Sequence, residues 1–110
     1  MAQKQIYETD EVKAFAAGMS SVSRRKYAFA KQVLADMGYL RAPIAEKVEG
    51  QENLFAIRIL SDGNERFFYC YDDGTFIVIL HGYAKTTNKI PPRELATAIR
   101  VKNELFGGAS

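Results

Sequence analysis

The chain has 110 residues, with 47% hydrophobic and 25% charged residues and a formal net charge of +2. These values are typical of a soluble globular protein that can bury its own core, and we predict a single domain over residues 1–110. The lone cysteine, Cys70, excludes an intramolecular disulfide and fits a reducing compartment. No N-terminal apolar run follows the first methionine, and no segment reaches the ~20 apolar residues of a membrane span. We therefore expect a cytoplasmic protein without a membrane partner.

The first forty residues predict an edge strand followed by two helices. Residues 3–8 are typical of a short, polar edge strand, and Thr9 or Asp10 can cap a brief helix that carries Val12 on its apolar side. Ser21 is placed to cap a longer amphipathic helix over 22–37, which ends at Gly38. We expect these helices to form an antiparallel hairpin that covers one face of a sheet.

The rest of the chain predicts a small sheet and a final helix. The segment 40–53 has no hydrophobic period and is expected to be a loop. Three apolar runs rich in Ile, Val, Phe and Tyr follow, separated by Asp-Gly pairs as in an antiparallel meander; they lie at 54–60, 66–71 and 76–83. Pro91-Pro92 then precedes an amphipathic helix over 93–106, and the last four residues form a tail. The prediction is an α+β fold with an antiparallel sheet of three to four strands, the helical hairpin on one face and a C-terminal helix.

The lengths of the two turns decide which side chains share a face of the sheet. A two-residue Asp73-Gly74 turn would place Arg66 opposite His81. For the first turn, a two-residue loop puts Arg58 and Arg66 on opposite faces, whereas a three-residue loop (Asp62-Gly63-Asn64) puts both on the face of His81. We favour the longer loop, because the shorter one buries an arginine under the helices without a partner.

In this register the sheet has an open face that mixes apolar and basic residues. We expect it to carry Ala56, Arg58, Arg66, Phe68, Cys70, Ile79, His81 and Tyr83, while Val78 and Leu80 lie under the helical hairpin. Lys85 and Lys89 continue the basic character beyond the last strand. A solvated basic face with no specific ligand is the ordinary interpretation of such a cluster, and RNA binding is the functional one.

Several chemistries are disfavoured by the residue inventory. One histidine and one cysteine are too few for a zinc site, and no Gly-rich nucleotide-binding turn occurs, so we expect neither a metal nor a small-molecule cofactor. Clustered Arg, Lys, His and Tyr side chains instead fit RNA, because cations neutralise phosphate and aromatic rings stack on bases. The same groups can support cleavage without a metal, in which a 2′-hydroxyl attacks the adjacent phosphate and fixed cations stabilise the phosphorane.

Three segments resemble the HigB-like toxins of the RelE/ParE superfamily, in the branch of phage-derived proteins. They are LFAIRI, ERFFYCYDDG and FIVILHGYAKTTNKIPPRELATA. The shared pattern is a strand with a central Arg, a strand opened by Arg, an LHGF-type strand end, a K-T-x-K-x-P segment and a Glu that opens a helix. This chain departs from many relatives at Thr86, where they have a second consecutive lysine.

The resemblance implies a RelE-like fold and the toxin of a type II toxin–antitoxin system, which cleaves mRNA on the ribosome as an endoribonuclease. It also implies a cognate antitoxin with a helix-turn-helix domain. Carried over to this sequence, Arg66 would hold the scissile phosphate, Arg58 would assist, and Lys85 or Lys89 would neutralise the transition state or move the proton. We further expect Tyr83 to stack on a base and Arg93 to contact RNA, while His81 is either a structural residue or a proton-transfer group.

Two other functions fit the same pattern. One is a ParE-like gyrase inhibitor, which binds protein and has no nuclease chemistry. The other is a non-catalytic phage-derived binding module. Basic residues inside the predicted sheet favour the nuclease over the gyrase inhibitor, and loss of toxicity in Arg66→Ala would distinguish the nuclease from the binding module.

Overall fold

A computed structural model describes residues 4–61, 63–85 and 89–107, and it has the α+β architecture that the sequence predicts. In chain order the elements are β1 (Gln5–Glu8), α1 (Asp10–Ala17), α2 (Ser21–Met37), β2 (Ala45–Lys47), β3 (Phe55–Arg58), β4 (Glu65–Tyr71), β5 (Phe76–Ala84) and α3 (Pro92–Phe106). The strands form one sheet in the order β1-β5-β4-β3-β2. Within the described residues, no helix is long and apolar enough to cross a membrane.

The ends of the N-terminal helices follow from local capping chemistry. Thr9, and not Asp10, caps α1, since its hydroxyl accepts a hydrogen bond from the backbone N–H of Val12 at 3.1 Å. Ser20 caps α2 by the same contact to Ser23 at 3.1 Å, so this helix begins one residue earlier than a cap at Ser21 implies. Gly38 ends α2 with φ of 83°, the left-handed conformation for which glycine is suited.

The sheet has more strands than expected, and one pairing is parallel. The segment 40–53, predicted to be a loop, contains β2, whose three residues AEK are too short and polar to give a strand signal. This strand pairs antiparallel with β3 and forms one edge of the sheet. The expected edge strand near the N-terminus exists as β1, but it pairs parallel with β5, so the sheet is not purely antiparallel.

The turn between β3 and β4 gives a different strand register from the predicted one, but the residues of both strands face the predicted sides of the sheet. Arg58 lies opposite Arg66, whereas the predicted loop would place Arg58 opposite Phe68. The pairing therefore differs by two residues, which leaves every side chain on its predicted face. Asp62 of the predicted loop lies outside the described residues.

The second turn is one residue longer than Asp73-Gly74, and for this reason the prediction placed Val78, Ile79 and Leu80 on the wrong faces. The Asp72 carboxylate accepts hydrogen bonds from the N–H groups of Gly74 at 2.8 Å and Phe76 at 3.0 Å, which stabilises the longer turn. Val78 and Leu80 consequently face away from the helical hairpin, and Ile79 faces it.

A β-bulge then restores the predicted faces at the far end of β5. The bulge lies opposite Phe68 and Tyr69, and beyond it Phe68 pairs with His81 and Arg66 pairs with Tyr83. Arg66, His81 and Tyr83 thus share a face, as expected, although Arg66 is opposite Tyr83 and not His81.

Both faces of the sheet are covered, which corrects the expectation of an open face. The helical hairpin packs on one face around Tyr27, Leu34 and Phe67. The C-terminal helix α3 packs on the other, where the fully buried Ala98 contacts a second core that contains Phe68 and Leu80. The second face is therefore covered by α3, and Arg58, Arg66 and Tyr83 lie side by side on this face at one end of β3, β4 and β5.

Candidate functional site

Three polar side chains lie side by side across neighbouring strands. Arg58 on β3 is opposite Arg66 on β4, and Arg66 is in turn opposite Tyr83 on β5. We call these residues the Arg58–Arg66–Tyr83 row. Two arginines and a phenol on one sheet face form a compact set of hydrogen-bond donors, which is an arrangement suited to a phosphate group.

Arg66 is the centre of the row and is almost completely buried, with 3% of its surface exposed. Its Nη1 donates to the side-chain oxygen of Asn64 and to the backbone oxygen of Glu65, both at 3.1 Å. Burial lowers the pKa of Arg66, and the positive charge of Arg58 lowers it further, while Glu46 raises it. The side chain is thus held in place by neutral acceptors beside another cation.

Glu46 supplies the negative charge next to the row. Its carboxylate lies 3.7 Å from Nε of Arg58, and Nη1 of Arg58 donates to the backbone oxygen of Pro43 at 3.3 Å. Sequence reasoning missed Glu46 because it lies on β2, in the segment interpreted as a loop. The available signal was an acidic residue three positions after Pro43, which is too weak to predict a contact with β3.

The row contains buried donors that no protein group satisfies. Within residues 4–61, 63–85 and 89–107, the buried side-chain nitrogens and oxygens without a hydrogen-bond partner are Nε of Arg58, Nε of Arg66 and the hydroxyl of Tyr83. Buried polar atoms are normally paired, because an unpaired one costs on the order of 1–3 kcal/mol. These three atoms lie next to one another in the row, and Nε of Arg58 has only the longer 3.7 Å contact with Glu46.

Tyr83 contributes its hydroxyl to this position and keeps its ring in the core. The residue is 4% exposed, and its ring packs against Phe68 and His81, with ring centroids 5.6 and 6.2 Å away. The expected stacking of Tyr83 on a base therefore lacks an accessible ring face. Burial raises the pKa of Tyr83 to about 12, so the phenol stays protonated and can donate a hydrogen bond.

Lys85 directly follows β5, and hydrogen bonds of Asn64 connect it to Arg66. The backbone N–H of Lys85 donates to the backbone oxygen of Asn64 at 3.0 Å, and the Asn64 amide donates to the backbone oxygen of Lys85 at 3.2 Å. Asn64 has φ of 51°, a conformation that asparagine tolerates better than most residues. Burial lowers the pKa of Lys85, and Arg66 lowers it further. Asn64 was also missed, since the sequence indicated only a turn residue there.

The remaining predicted residues lie around the start of α3. His81 forms a 2.6 Å contact from Nε2 to the carboxylate of Glu94, in the first turn of α3. Lys89 and Arg93 are exposed. The catalytic role of Lys89 and the RNA contact of Arg93 stay predictions. Thr86, where the sequence departs from its relatives, lies outside the described residues.

The cysteine and the acidic residues offer no second chemical centre. Cys70 is buried, and burial raises the pKa of its thiol to about 11, so it is a packing residue and not a nucleophile. In the part of the chain that the structure describes, no group of three or more His, Cys, Asp or Glu residues is arranged to hold a metal ion. The Arg58–Arg66–Tyr83 row with Glu46 and Lys85 is therefore the candidate site.

The fold is similar to that of a solved structure. A solved structure of E. coli toxin RelE, a mutant in the free state, matches with a TM-score of 0.69 and 13% sequence identity, over 91% of this chain and 97% of that chain. The five-stranded sheet with its helical hairpin and C-terminal helix is thus a RelE-like fold.

The family follows from the sequence comparison. Residues 14–103 match the family model described as Phage derived protein Gp49-like (DUF891), and the chain belongs to this family. No curated protein matches the sequence. Family and fold together confirm the predicted membership of the RelE-like toxin superfamily.

Proposed function

We propose that this protein is the toxin of a type II toxin–antitoxin pair. In this proposal it is a cytoplasmic endoribonuclease that cleaves mRNA on the ribosome, and the reaction needs no metal. The observation that carries the proposal is the set of unpartnered donors in the Arg58–Arg66–Tyr83 row. A phosphodiester has two non-bridging oxygens that can accept hydrogen bonds from such donors. The oxygens gain negative charge in the phosphorane, so fixed donors stabilise the transition state more than the ground state.

The reaction requires two proton transfers. The 2′-oxygen forms a bond to phosphorus, the bond from phosphorus to the 5′-oxygen breaks, and the products are a 2′,3′-cyclic phosphate and a 5′-hydroxyl. We propose that Glu46 accepts the 2′-hydroxyl proton, because its carboxylate lies beside the row, 3.7 Å from Nε of Arg58. Lys85 then protonates the leaving 5′-oxygen, since a lowered pKa makes its ammonium a better acid.

Arg66 and Arg58 hold the phosphate, and the other predicted residues surround it. Lys89 and Arg93 would bind the flanking RNA backbone from the exposed surface near α3. His81 remains bonded to Glu94 in this proposal and positions the start of α3, although proton transfer by His81 is the alternative.

The test is cleavage of a translated mRNA in a reconstituted translation reaction, read by primer extension and by the chemistry of the new ends. Arg66→Ala should reduce the cleavage rate on the order of 10²-fold or more, which is typical for one lost transition-state donor. Arg24→Ala is the matched control, because Arg24 is an exposed arginine of α2 that is not part of the row. Circular dichroism and thermal unfolding verify that Arg66→Ala is folded.

Glu46→Gln tests the proton acceptor against Glu49→Gln, an exposed glutamate two residues after β2. We expect a loss of about 10²-fold for Glu46→Gln and no loss for the control. New ends that carry a 5′-phosphate would contradict the 2′-hydroxyl mechanism. Intact transcripts together with DNA breaks after induction would instead identify a gyrase inhibitor, and toxicity unchanged by Arg66→Ala would identify a binding module without catalysis.

A further inference from the structure

A buried carboxylate that the proposed reaction does not use lies next to Arg66 in the sequence. Glu65 opens β4 and is 6% exposed. Neighbouring residues of a strand face opposite sides of the sheet, so the Glu65 side chain lies on the side of the helical hairpin and the Arg66 side chain on the other. On its side, Glu65 contacts the hydroxyls of Ser23 in α2 and of Ser61 in the turn between β3 and β4. We call these three residues the Ser23–Ser61–Glu65 cluster.

The two hydroxyls of the cluster direct their protons toward the carboxylate. Oγ of Ser23 donates to Oε1 of Glu65 at 2.9 Å. Because a hydroxyl has one proton, Ser61 is the donor in the 2.5 Å contact between the two Oγ atoms. Ser23 is fully buried, and hydrogen bonds to a carboxylate are roughly twice as strong as those between neutral groups. The cluster therefore forms a firm connection between α2 and the β3–β4 turn.

The carboxylate also fills space against the turn. A Cβ atom at Gly63 would lie 1.9 Å from Oε2 of Glu65, so a side chain at residue 63 would have to displace the carboxylate. The backbone N–H of Asn64 donates to the backbone oxygen of Ser61 at 3.0 Å, within the same turn. Ser61 and Glu65 thus tie the residues on both sides of Asn64 to α2.

This turn supplies both acceptors that hold the Arg66 guanidinium. Nη1 of Arg66 donates to the side-chain oxygen of Asn64 and to the backbone oxygen of Glu65, both at 3.1 Å. The same backbone oxygen accepts a hydrogen bond from the N–H of Ile59 at 2.9 Å. Release of the Glu65 side chain from the cluster would therefore shift the two groups on which the orientation of Arg66 depends.

We propose that Glu65 is a positioning residue, whose hydrogen bonds with Ser23 and Ser61 fix the turn that orients Arg66. Donors that are fixed before the reaction need no reorganisation when charge develops on the phosphate, so the orientation of Arg66 contributes to the rate. This contribution to catalysis rests on the proposed function, whereas the orientation of the guanidinium does not. The alternative is a cluster that only holds α2 on the sheet, and its loss would then lower stability without loosening Arg66.

The first test is NMR of the Nε–H group of Arg66 in the protein without RNA. The signal is assigned by its absence in Arg66→Lys, and its heteronuclear NOE reports whether the guanidinium is held rigidly. Ser23→Ala and Glu65→Ala should lower this NOE, because each removes a hydrogen bond of the cluster. Glu65→Gln should retain the NOE of the unchanged protein, since its amide oxygen still accepts the Ser23 proton.

Leu34→Val is the matched control for stability. Leu34 is a fully buried residue of α2 that packs in the core under the hairpin and is not part of the cluster. Its shortened side chain should lower the melting temperature, as the loss of a buried methylene does. The Arg66 NOE should not change, so the control separates general destabilisation from a loosened guanidinium.

The second test is the rate of mRNA cleavage on programmed ribosomes. Ser23→Ala and Glu65→Ala should lower kcat about tenfold and change KM less than about threefold, because a transition-state donor has lost its orientation. Glu65→Gln and Leu34→Val should keep kcat within about twofold of the unchanged protein.

The remaining outcomes decide between the two roles. An unchanged NOE in folded Ser23→Ala would overturn the proposal, and so would an equal loss of NOE in Leu34→Val. If Glu65→Ala does not fold, Ser23→Ala and Glu65→Gln still give the comparison. A loosened Arg66 with unchanged kcat would overturn the contribution to catalysis. A loosened Arg66 in a protein whose unchanged form does not cleave mRNA would refute the nuclease and support the orientation of Arg66 by Glu65.

Discussion

Arg58 and Arg66 lie directly opposite each other on β3 and β4, so the sheet holds two like charges as a cross-strand pair. Opposed like charges in a sheet are destabilising, and the Glu46 carboxylate, 3.7 Å from Arg58, offsets this repulsion only in part. This pair, whose two Nε donors make no hydrogen bond within the described residues, supports the proposal of a negatively charged ligand at this position. The pair is therefore the structural reason to treat this end of the sheet as functional.

A double-mutant cycle measures this repulsion. We expect Arg58→Gln and Arg66→Gln, alone and combined, to give an unfavourable coupling between the two arginines of about 0.5 kcal/mol in the free energy of unfolding. A favourable coupling would contradict the description of the two arginines as a repelling pair.

Gly82 lies where the sheet meets the helical hairpin, and its lack of a side chain is a packing requirement. A Cβ atom at Gly82 would approach ring atoms of Phe15 and Phe67 to 2.8 Å. We expect Gly82→Ala to lower the free energy of unfolding by about 1–3 kcal/mol, the usual effect of overpacking in a core. Gly74→Ala is the matched control, because a Cβ there meets no atom within 4 Å, and urea unfolding of both variants makes the comparison. Equal stabilities would contradict the packing argument.

Removal of the Tyr83 hydroxyl should affect the stability and the activity of the protein differently. Because this buried hydroxyl has no partner, Tyr83→Phe should leave the free energy of unfolding unchanged or raise it by up to about 1 kcal/mol. If the hydroxyl donates to a phosphate, the same variant should cleave mRNA about tenfold more slowly. A destabilised variant with full activity would contradict both expectations.

The pH dependence of stability gives a second measurement for Tyr83. The unfolded chain releases this proton near pH 10, the ordinary value of tyrosine, whereas the folded protein holds it up to about 12. The folded state therefore binds more protons in this interval, and stability falls as the pH rises from about 10 to 12. Tyr83→Phe should reduce that fall in alkaline urea titrations, and an unchanged slope would contradict the raised pKa.

Capping residues and hydrophobic spacing predicted the helices, and the alternation of side chains along β3 and β4 predicted which face of the sheet each residue occupies. The cap at Thr9 and the left-handed Gly38 can be read from three or four neighbouring residues, because capping depends on side chains adjacent in sequence. Arg58 and Arg66 share a face in the structure even though their predicted register was wrong, since a shift of two residues preserves the alternation of side chains.

The missed features depend on contacts between distant segments. The short strand β2 exists because β3 pairs with it, and without β2 the position of Glu46 could not be derived. The turn carboxylate of Asp72 and the bulge in β5 decide the face of Val78, and neither changes the hydrophobic pattern of the strand. Similarly, the amphipathic pattern of α3 does not indicate which face of the sheet it covers.

Asn64 is a positioning residue whose two functions can be separated. Its left-handed backbone, with φ of 51°, strains any residue with a Cβ atom, and its side chain holds both Arg66 and the backbone of Lys85. We expect Asn64→Ala to lose about 1–2 kcal/mol in the free energy of unfolding, because alanine lacks the amide and is disfavoured in this conformation. Asn64→Gly should recover about 1 kcal/mol of that loss, since glycine adopts positive φ without strain.

Both variants lack the amide that orients Arg66, so both should cleave mRNA more slowly by the same factor, on the order of tenfold. Thermal unfolding and primer extension on the two proteins make the comparison. Recovery of activity in Asn64→Gly would mean that the backbone conformation, and not the bond to Arg66, is what the site requires.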